Sequence, residues 1–425
     1  MSVGGGLGGG FGRIWFATGA TALGVQIAQL AVPLLAVVSL HASSGQVGLI
    51  GAAQWLPFLL IALPVGVLVD RRRRRPLLMA AEWIRVLGTT AIILLGVAGV
   101  LTLPALLLLV VVIGCGAVVF EVAYQSFLPS VVPRERLGVA NSRLQATEAT
   151  ALVAGPGLGG LLVQLLGALP TLAVTAGGSF MSAVSLSRIP ESFTPATHRR
   201  KPVARDLMEG LRFLRHDRVL AGLLGFSAIS NPFAQWILLL FIVDAVRRLD
   251  LTTGQVGVVL AIGAVGTLLG AATAPAVARR LGVLRTILFT AAVDPVVLFA
   301  LPAAVPGWGV PALVTALGAT FAVNGYAVGL DTVLVTTVRQ TRTPDDLRGR
   351  VNAATRMVSY GTITLGAAAG GLAGQLLGVR LGLLIGCLGA LTTFGWVAGW
   401  ATLITRHHEP LDGTPAVPIQ SRTGP

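Results

Sequence analysis

Two carboxylates lie inside long apolar stretches of the sequence, where a charge is costly and therefore informative. Asp294 comes nine residues after Arg285, which places it about 13 Å into an apolar helix that begins there. Glu148 lies in another apolar stretch. A carboxyl group that loses its hydration is easier to protonate, so both groups can load and release a proton. Asp294, followed by Pro295, is the first candidate for proton coupling. Glu148 is the second, with a structural hydrogen bond to a neighbouring helix as its alternative.

The densest charge in the sequence is the run of arginines from Arg71 to Arg75, which ends the apolar segment GVLVD. A basic cluster beside an apolar segment is retained on the cytoplasmic side of a membrane, so this run predicts topology. A topology signal needs no carboxylate, and Asp70, immediately before the run, therefore requires a separate explanation.

The composition of the chain indicates the class of protein that contains these charged residues. Of 425 residues, 54% are hydrophobic and 11% are charged, whereas soluble domains carry about 25% charged residues. The net charge of +14 is distributed between apolar runs, so nucleic acid is not expected as a partner. Cys115 and Cys387 both lie in apolar segments, and we expect them to pack rather than to form a disulfide or a metal site.

The chain contains twelve apolar runs. Each is long enough to cross a bilayer as a helix, which takes about 20 residues. They cover residues 14–40, 47–69, 77–99, 102–127, 144–166, 169–187, 219–246, 255–278, 284–304, 309–331, 351–377 and 381–404. A single segment in lipid satisfies its backbone hydrogen bonds as a helix. The sequence therefore predicts an all-α integral membrane protein with twelve transmembrane helices in two six-helix, pseudo-symmetric bundles.

Basic residues concentrate in the loops that follow the even-numbered spans. They are Arg71 to Arg75; Arg134 and Arg136; Arg199, Arg200, Lys201, Arg205, Arg212, Arg215 and Arg218; Arg279 and Arg280; and Arg339, Arg342, Arg348 and Arg350. The alternate loops carry little beyond Arg247, Arg248 and Arg380. Because basic loops stay in the cytoplasm, we expect a multi-pass protein of the inner, cytoplasmic membrane with both termini in the cytoplasm.

The longest polar interruption, at residues 188–218, separates the spans six and six. The predicted units are a flexible N-terminal tail (1–13), an N-terminal six-helix bundle (14–188), a cytoplasmic linker (189–218), a C-terminal six-helix bundle (219–405) and a disordered C-terminal tail (406–425). In the linker, Leu207, Leu211 and Leu214 share one face of a predicted amphipathic helix. We expect this helix on the membrane surface, with a solvated linker helix as the alternative.

The two halves of the sequence repeat each other. GQVG occurs at residues 45–48 and again at 254–257, and GGLLVQLLG at 159–167 matches GGLAGQLLG at 370–378. Matches in the same order argue for a duplicated unit. Each copy has an even number of predicted spans, so both have the same orientation, and their symmetry axis runs along the membrane normal.

With these features the sequence resembles the major facilitator superfamily over essentially its whole length. The signature between the second and third spans of that family is present as Gly66, Asp70, Arg71, Arg74 and Arg75. Arg73 stands where the family has a loop glycine. The segments SGQVGLIGAAQWLPFLLIALPVGVLVDR and VPRERLGVANSRLQ resemble more narrowly the enterobactin-exporter-like branch of drug and siderophore exporters.

The resemblance implies a cytoplasmic gate around Asp70. In the family this aspartate docks against the start of a helix in the opposite bundle, where the helix N-terminus carries about half a positive charge. The implied partner in this chain is the eleventh span near residues 351–355. Arg71 or Arg74 would pair with Glu121, near the end of the fourth span.

A second motif, GPGLGG, resembles the fifth-helix signature of antiporters. Its residues are Gly155, Pro156, Gly159 and Gly160, whereas Thr147 and Ala151 depart from the glycine spacing upstream. Pro156 removes one backbone donor and permits a functional bend. Packing of small residues between helices is the alternative.

Polar side chains inside the spans predict a substrate cavity. The candidates are Gln26, Gln29, Arg85, Asn231 and Gln235. Glu82 lies three residues before Arg85 and can pair with it, so a structural pair is the alternative for Arg85. Asp244 is expected to pair with Arg247, and Asp331 and Arg356 are expected at the gate or at the interface between the bundles.

Together these features predict a secondary active transporter and not an enzyme, with no metal site and no cofactor beyond the proton gradient. The expected activity is proton-coupled efflux of amphiphilic small molecules, such as drugs, siderophores or secondary metabolites, by alternating access of a monomer in the lipid bilayer. One alternative is proton-coupled uptake of a nutrient. The other is a membrane sensor on a transporter scaffold.

Overall fold

The computed structural model describes residues 8–133, 136–189, 203–344 and 347–406. The described residues form helices joined by short turns, and no strand occurs among them. The predicted C-terminal tail lies almost entirely outside this part of the chain. The first helix begins at Gly8, so residues 8–13, predicted as a flexible tail, are helical. Phe11 and Ile14 explain this difference, because both side chains are buried in the core of the first bundle.

Fourteen α-helices follow one another in the described residues. They are α1 (Gly8–Val38), α2 (Ser44–Arg71), α3 (Arg74–Val97), α4 (Leu103–Val131), α5 (Leu137–Leu166), α6 (Ala168–Ser187), α7 (Val203–His216), α8 (Arg218–Arg247), α9 (Thr253–Leu281), α10 (Val283–Leu298), α11 (Ala300–Ala303), α12 (Val310–Arg342), α13 (Arg348–Leu377) and α14 (Val379–Arg406). A 3₁₀ turn, Pro306–Trp308, precedes α12.

Ten helical segments in the described part of the chain are long and apolar enough to cross a membrane. Two of the twelve predicted spans, the fifth and the eleventh, are not among them. The corresponding helices α5 and α13 have 30 residues each, and an apolar stretch of α5 covers Ala154–Leu166. Both helices pack against the other bundle, α5 on α9 and α13 on α2. Helices in such positions are partly covered by protein, which permits the polar residues that lower their hydropathy.

The helices form two bundles with the same internal contacts. In the first bundle α1 packs on α5 and α6, α3 packs on α4 and α6, and α2 packs on α4. In the second bundle α8 packs on α13 and α14, α10 packs on α12 and α14, and α9 packs on α12. Each contact in the first bundle has its counterpart in the second. The repeat read from the sequence therefore corresponds to a structural duplication.

The glutamine of the repeated GQVG motif begins a helix in each bundle. Gln46 accepts a hydrogen bond from the Ser43 backbone N–H at 2.8 Å, and Gln255 accepts one from the Thr252 N–H at 2.9 Å. The Ser43 and Thr252 side chains accept in return from the backbone N–H groups of Gln46 and Gln255. These reciprocal bonds form a capping box that satisfies free donors at the start of α2 and of α9.

The amphipathic linker helix α7 lies on protein. Leu214 is buried against Leu220 and Val351, and Leu211 packs at the edge of the same cluster. This differs from the expected position on the membrane surface. The cause is the start of α13, which offers an apolar surface to Leu211 and Leu214 and an ion-pair partner beside them, since Arg350 contacts Glu209 at 3.2 Å. The side chain of Leu207 lies outside the described side chains.

The predicted pairing of Asp244 with Arg247 is wrong. Asp244 accepts two hydrogen bonds of 2.7 Å from Arg248, one turn further along. Arg247 instead donates to the backbone carbonyl of Ala42. The hydrogen bond with the Asp244 carboxylate raises the pKa of the Arg248 guanidinium above its usual value. Residues three apart and residues four apart can both pair on a helix. The sequence alone therefore does not distinguish Arg247 from Arg248 as the partner of Asp244.

Candidate functional site

The helix ends define two faces of the molecule. The terminal face carries Gly8 and Arg406 at the ends of α1 and α14, together with the starts of α5 and α13. The opposite face carries the starts of α2 and α9. Each face comprises the corresponding helix ends of both bundles.

Near the opposite face the bundles meet backbone to backbone at two glycine pairs. Gly48 of α2 faces Gly371 of α13, and Gly160 of α5 faces Gly257 of α9. A Cβ atom added at Gly48 would lie 2.5 Å from the Cα atom of Gly371, which is shorter than any real contact of this kind. Glycine is therefore required at these positions for the helices to approach so closely. We call these four residues the glycine contacts.

A glutamine extends each glycine contact toward the opposite face. The side chain of Gln375 packs on Gly45, and the side chain of Gln164 packs on Gly254. The GQVG motif of each half thus contacts the repeated segment of the other half that begins with GG and contains a glutamine, GGLAGQLLG or GGLLVQLLG; we call this segment the GG-and-glutamine motif. The two sequence repeats pair crosswise, and the molecule is closed near the opposite face by two equivalent contacts.

Closer to the terminal face, charged side chains from both bundles approach each other. Arg356 of α13 forms an ion pair with Glu121 of α4, although 43% of the Arg356 side chain and 36% of the Glu121 side chain remain exposed. Glu148 of α5 is also exposed and lies within electrostatic range of both residues. A partly exposed ion pair contributes about 1 kcal/mol or less, so the contact is weak enough to break and re-form. We call Glu121, Glu148 and Arg356 the charged cluster.

Three aromatic rings lie beside the charged cluster, again across the interface between the bundles. Tyr360 of α13 stacks on Trp55 of α2 with ring centroids 5.1 Å apart, and its centroid lies 4.4 Å from that of Phe58. The Tyr360 phenol lies in the electrostatic field of all three members of the charged cluster. Sequence reasoning missed these rings. The available signal was the spacing of Trp55 and Phe58, since residues three apart share a helix face.

The pseudo-symmetric bundles and the two-sided interface match a known family. A family model described as a transmembrane secretion effector, MFS_3, matches residues 9–410. The chain belongs to the major facilitator superfamily. It is a multi-pass membrane transporter by this membership, and the family resemblance inferred from the Gly66–Arg75 signature is confirmed.

Curated relatives of this transporter include drug and siderophore exporters. The multidrug efflux pump Tap of Mycolicibacterium fortuitum is 27% identical over 371 residues, which cover 84% of this chain and 87% of Tap. The enterobactin exporter EntS of Escherichia coli O127:H6 is 28% identical over 357 residues, which cover 81% of this chain and 80% of EntS. The resemblance to this branch of the superfamily is confirmed.

Solved structures share the fold of this transporter at low sequence identity. A mutant of the nucleoside transporter NupG aligns with a TM-score of 0.73 at 11% identity, covering 92% of this chain and 99% of the mutant chain. A bacterial homologue of the iron transporter ferroportin aligns with a TM-score of 0.70 in its inward-facing state, at 17% identity, covering 92% of this chain and 98% of that chain. The outward-facing structure aligns with a TM-score of 0.58 and covers 99% of that chain. Both structures share the two-bundle fold of this chain.

The GPGLGG motif of this transporter has two packing faces. Gly155 lies against Gln26, and Gly159 lies against the backbone of Ile27 on α1. Gly160 belongs to the glycine contacts, and α5 runs continuously through Pro156 from Leu137 to Leu166. In the second bundle Gly366 and Gly370 pack on α8 in the same way. The motif holds α5 between α1 and α9, and the predicted bend at Pro156 stays a prediction.

The gate signature lies at the end of α2 and the start of α3. The side chains of Asp70 and Arg71 lie outside the described side chains, so their predicted partners stay predictions. Arg75 donates a hydrogen bond to the carbonyl of Ser187 at the end of α6. A cation at a helix C-terminus is favourable because the free carbonyls there carry negative partial charge. Part of the arginine run therefore stabilises the first bundle itself.

The two proton-coupling candidates do not come together. Asp294 of α10 accepts a hydrogen bond from Asn324 of α12, and α10 packs on α9, α12 and α14 of its own bundle. Asp331, expected at the gate or interface, is buried on α12 and accepts a hydrogen bond of 2.6 Å from Thr290 of α10. Glu148 is the candidate that faces the other bundle, and the proton-coupling roles of both Asp294 and Glu148 stay predictions.

The predicted cavity residues occupy different environments. Gln29 is exposed, whereas Gln26, Asn231 and Gln235 are half-buried. Arg85 is buried in the first bundle, where its guanidinium lies 4.9 Å from the centre of the Phe120 ring. Its role in substrate binding stays a prediction, and the contacts around it fit the structural alternative.

The carboxylate of Glu82 joins three helices of the first bundle. It is fully buried and accepts hydrogen bonds from Thr21 of α1 at 2.7 Å and from Ser182 of α6 at 3.0 Å. Arg85 lies 3.4 Å away on α3. We expect Glu82→Ala to destabilise the protein by about 3–5 kcal/mol, because it leaves a buried guanidinium without its counter-charge.

Thermal unfolding of the purified protein in detergent measures this effect. The matched control is Glu209→Ala, which removes a carboxylate from a partly exposed ion pair and for which we expect little change. Equal melting temperatures for Glu82→Ala and the unmodified protein would show that the pair does not stabilise the first bundle.

Proposed function

We propose that this transporter exports amphiphilic small molecules, such as drugs, siderophores or secondary metabolites, in exchange for protons. The observation that carries the proposal is the unequal interface. Glycine contacts close it near the opposite face, while the charged cluster, which lies closer to the terminal face, remains partly exposed. A transporter that alternates access requires such a state, and its two bundles rock about the interface. The names of Tap and EntS support drugs and siderophores as the class of substrate.

The proposed orientation places the terminal face in the cytoplasm. The ends of α2, α4 and α6 belong to this face, and in the sequence each of them is followed by an arginine-rich loop. Basic loops are retained in the cytoplasm. Both termini are then cytoplasmic in the inner membrane of a bacterium, and the state of the molecule is inward-facing. The proposal treats the protein as a monomer that needs no cofactor beyond the proton gradient.

The proposed coupling uses a carboxylate that becomes accessible to protons from each side of the membrane in turn. Glu148 lies between the bundles, so a proton and a substrate that reach the interface can both act on it. Protonation of Glu148 or of Glu121 removes negative charge from the charged cluster and weakens the attraction for Arg356. The contact between the bundles near the terminal face thus depends on protonation, which is what coupling requires. Asp294 is the second candidate, acting from within the C-terminal bundle.

Everted membrane vesicles test the direction of transport. We expect vesicles that contain the transporter and are acidified inside to accumulate radiolabelled amphiphiles at least about tenfold over vesicles without it, because protons leave as substrate enters. An uncoupler that dissipates the pH gradient should abolish this accumulation. Accumulation that requires acid outside the everted vesicles would contradict export and support the alternative of proton-coupled uptake.

A further inference from the structure

The carboxylate of Glu148 at the interface differs from that of Glu121 in its hydrogen bonds. No hydrogen bond or ion pair engages Glu148 within the residues that the structure describes. It lies eleven residues after Leu137, the start of α5, which places it about 16 Å along the helix from the terminal face. A charge at this depth is costly unless a partner or water compensates it. Glu148 is therefore a negative centre that is available to a ligand from the interface.

The neighbouring arginine already has its counter-charge. Arg356 reaches across the interface to Glu121, so these two charges compensate each other. Arg339 also acts on Arg356, but it lies three residues before the end of α12 and thus close to the terminal face. The charged cluster holds two carboxylates and one guanidinium, so its formal charge is negative.

The aromatic rings complete a surface for a cation. Trp55, Phe58 and Tyr360 present a cluster of three rings, and Tyr124 of α4 lies within electrostatic range of Glu121 and Glu148. Ring faces attract cations and also bury the apolar parts of an organic molecule. Tyr360 joins the two features, because its ring belongs to the aromatic cluster and its phenol lies beside the charged cluster.

From this juxtaposition we propose that the substrates of this transporter are organic cations held by Glu148 and by the rings of Trp55, Phe58 and Tyr360. Arg356 is the cation that the protein itself supplies to the carboxylates, and a bound substrate competes with it. The inference rests on the proposed function, because it names the class of substrate that is exported. It adds the sign of the charge on the substrate, which neither the family nor its signature specifies.

Equilibrium binding to the purified transporter in nanodiscs tests this inference without any gradient. The probes are tetraphenylphosphonium and tetraphenylborate, which have the same shape and opposite charge. We expect saturable binding of the phosphonium at least about tenfold tighter than binding of the borate. Glu148→Gln should weaken phosphonium binding about tenfold, and Trp55→Ala several-fold. Asp250→Asn is the matched control, because Asp250 is an exposed carboxylate with φ of 55° in a turn that asparagine also adopts.

Replacement of the competing arginine gives a test that misfolding cannot imitate. We expect Arg356→Gln to tighten phosphonium binding several-fold, because the change removes the guanidinium that competes with the substrate for the carboxylates. Tighter binding of the borate by the unmodified protein would overturn the inference. Unchanged phosphonium binding by Glu148→Gln, or weaker binding by Arg356→Gln, would do the same.

The two proposals fail in different experiments. Phosphonium binding with the expected dependence on Glu148, but without proton-driven accumulation in vesicles, would contradict the proposed export and leave the cation site standing. Proton-driven export by a protein that prefers the borate would contradict the cation site alone.

Discussion

Replacement of Gly48 with leucine is expected to reduce transport about 100-fold. Gly48 lies backbone to backbone with Gly371, and even a single added Cβ atom would come within 2.5 Å of the Gly371 Cα atom. Two helices cannot keep this separation around a leucine, so the closed arrangement near the opposite face is lost. Overpacking costs about 1–3 kcal/mol and occasionally more, and each 1.4 kcal/mol changes a population about tenfold. A cycle that must pass through the closed state slows accordingly.

The measurement combines transport with a distance across the opposite face. Spin labels at Thr102→Cys and Gly307→Cys, in a background without Cys115 and Cys387, report the separation of the bundles. We expect Gly48→Leu to shift this distance to longer values. Gly395→Leu is the control, because a Cβ atom at Gly395 meets no atom within 4 Å. A Gly48→Leu protein with ordinary transport and an unchanged distance would show that the glycine contacts do not form part of the cycle.

Replacement of Glu148 with glutamine is expected to abolish proton-driven accumulation, with a loss of about 100-fold. Glutamine keeps the size of the side chain but neither ionises nor exchanges a proton. The charged cluster then loses one of its two carboxylates, and the contact of Glu121 with Arg356 no longer responds to protonation of Glu148. Exchange of labelled for unlabelled substrate at saturating concentration and without a pH gradient should persist, because this process requires movement of the bundles but no net proton transfer.

Asp294→Asn is the comparison that decides between the two candidates. Asp294 is bonded to Asn324 inside the C-terminal bundle, and asparagine preserves its size. The measurement is accumulation driven by an imposed pH gradient in proteoliposomes, beside exchange without a gradient. Loss of gradient-driven transport in Asp294→Asn with full activity in Glu148→Gln would place the proton on Asp294 and would contradict the coupling role proposed for Glu148.

The sequence was most informative about features that repeat. Apolar length predicted the all-α fold, and the matched motifs predicted two equivalent bundles. Two of the twelve predicted spans, α5 and α13, are less apolar than the ten candidate spans of the described residues, and both pack against the other bundle. Hydropathy measures compatibility with lipid, and a helix covered by another helix is free of that requirement on its covered side.

Contacts between the bundles were harder to predict, because they join residues that are distant in the chain. Glu121 and Arg356 are separated by 235 positions, and no local spacing identifies them as partners. The linker helix α7 shows the same difficulty. Its amphipathic pattern was visible, but the pattern does not distinguish a lipid surface from the apolar start of α13. Asp294 could be identified from its depth in a single apolar run. Its neighbours Asn324 and Asp331 could not be predicted, because they lie on α12, which follows later in the chain.

The crosswise pairing of the motifs has an evolutionary consequence. Each half carries both partners of the contact, a GQVG segment and a GG-and-glutamine segment. Two identical six-helix chains related by a twofold axis would form this contact twice, as isologous dimers do. An unfused ancestor could therefore have closed its opposite face as a homodimer, before gene fusion joined the protomers and allowed residues such as Pro156 to diverge.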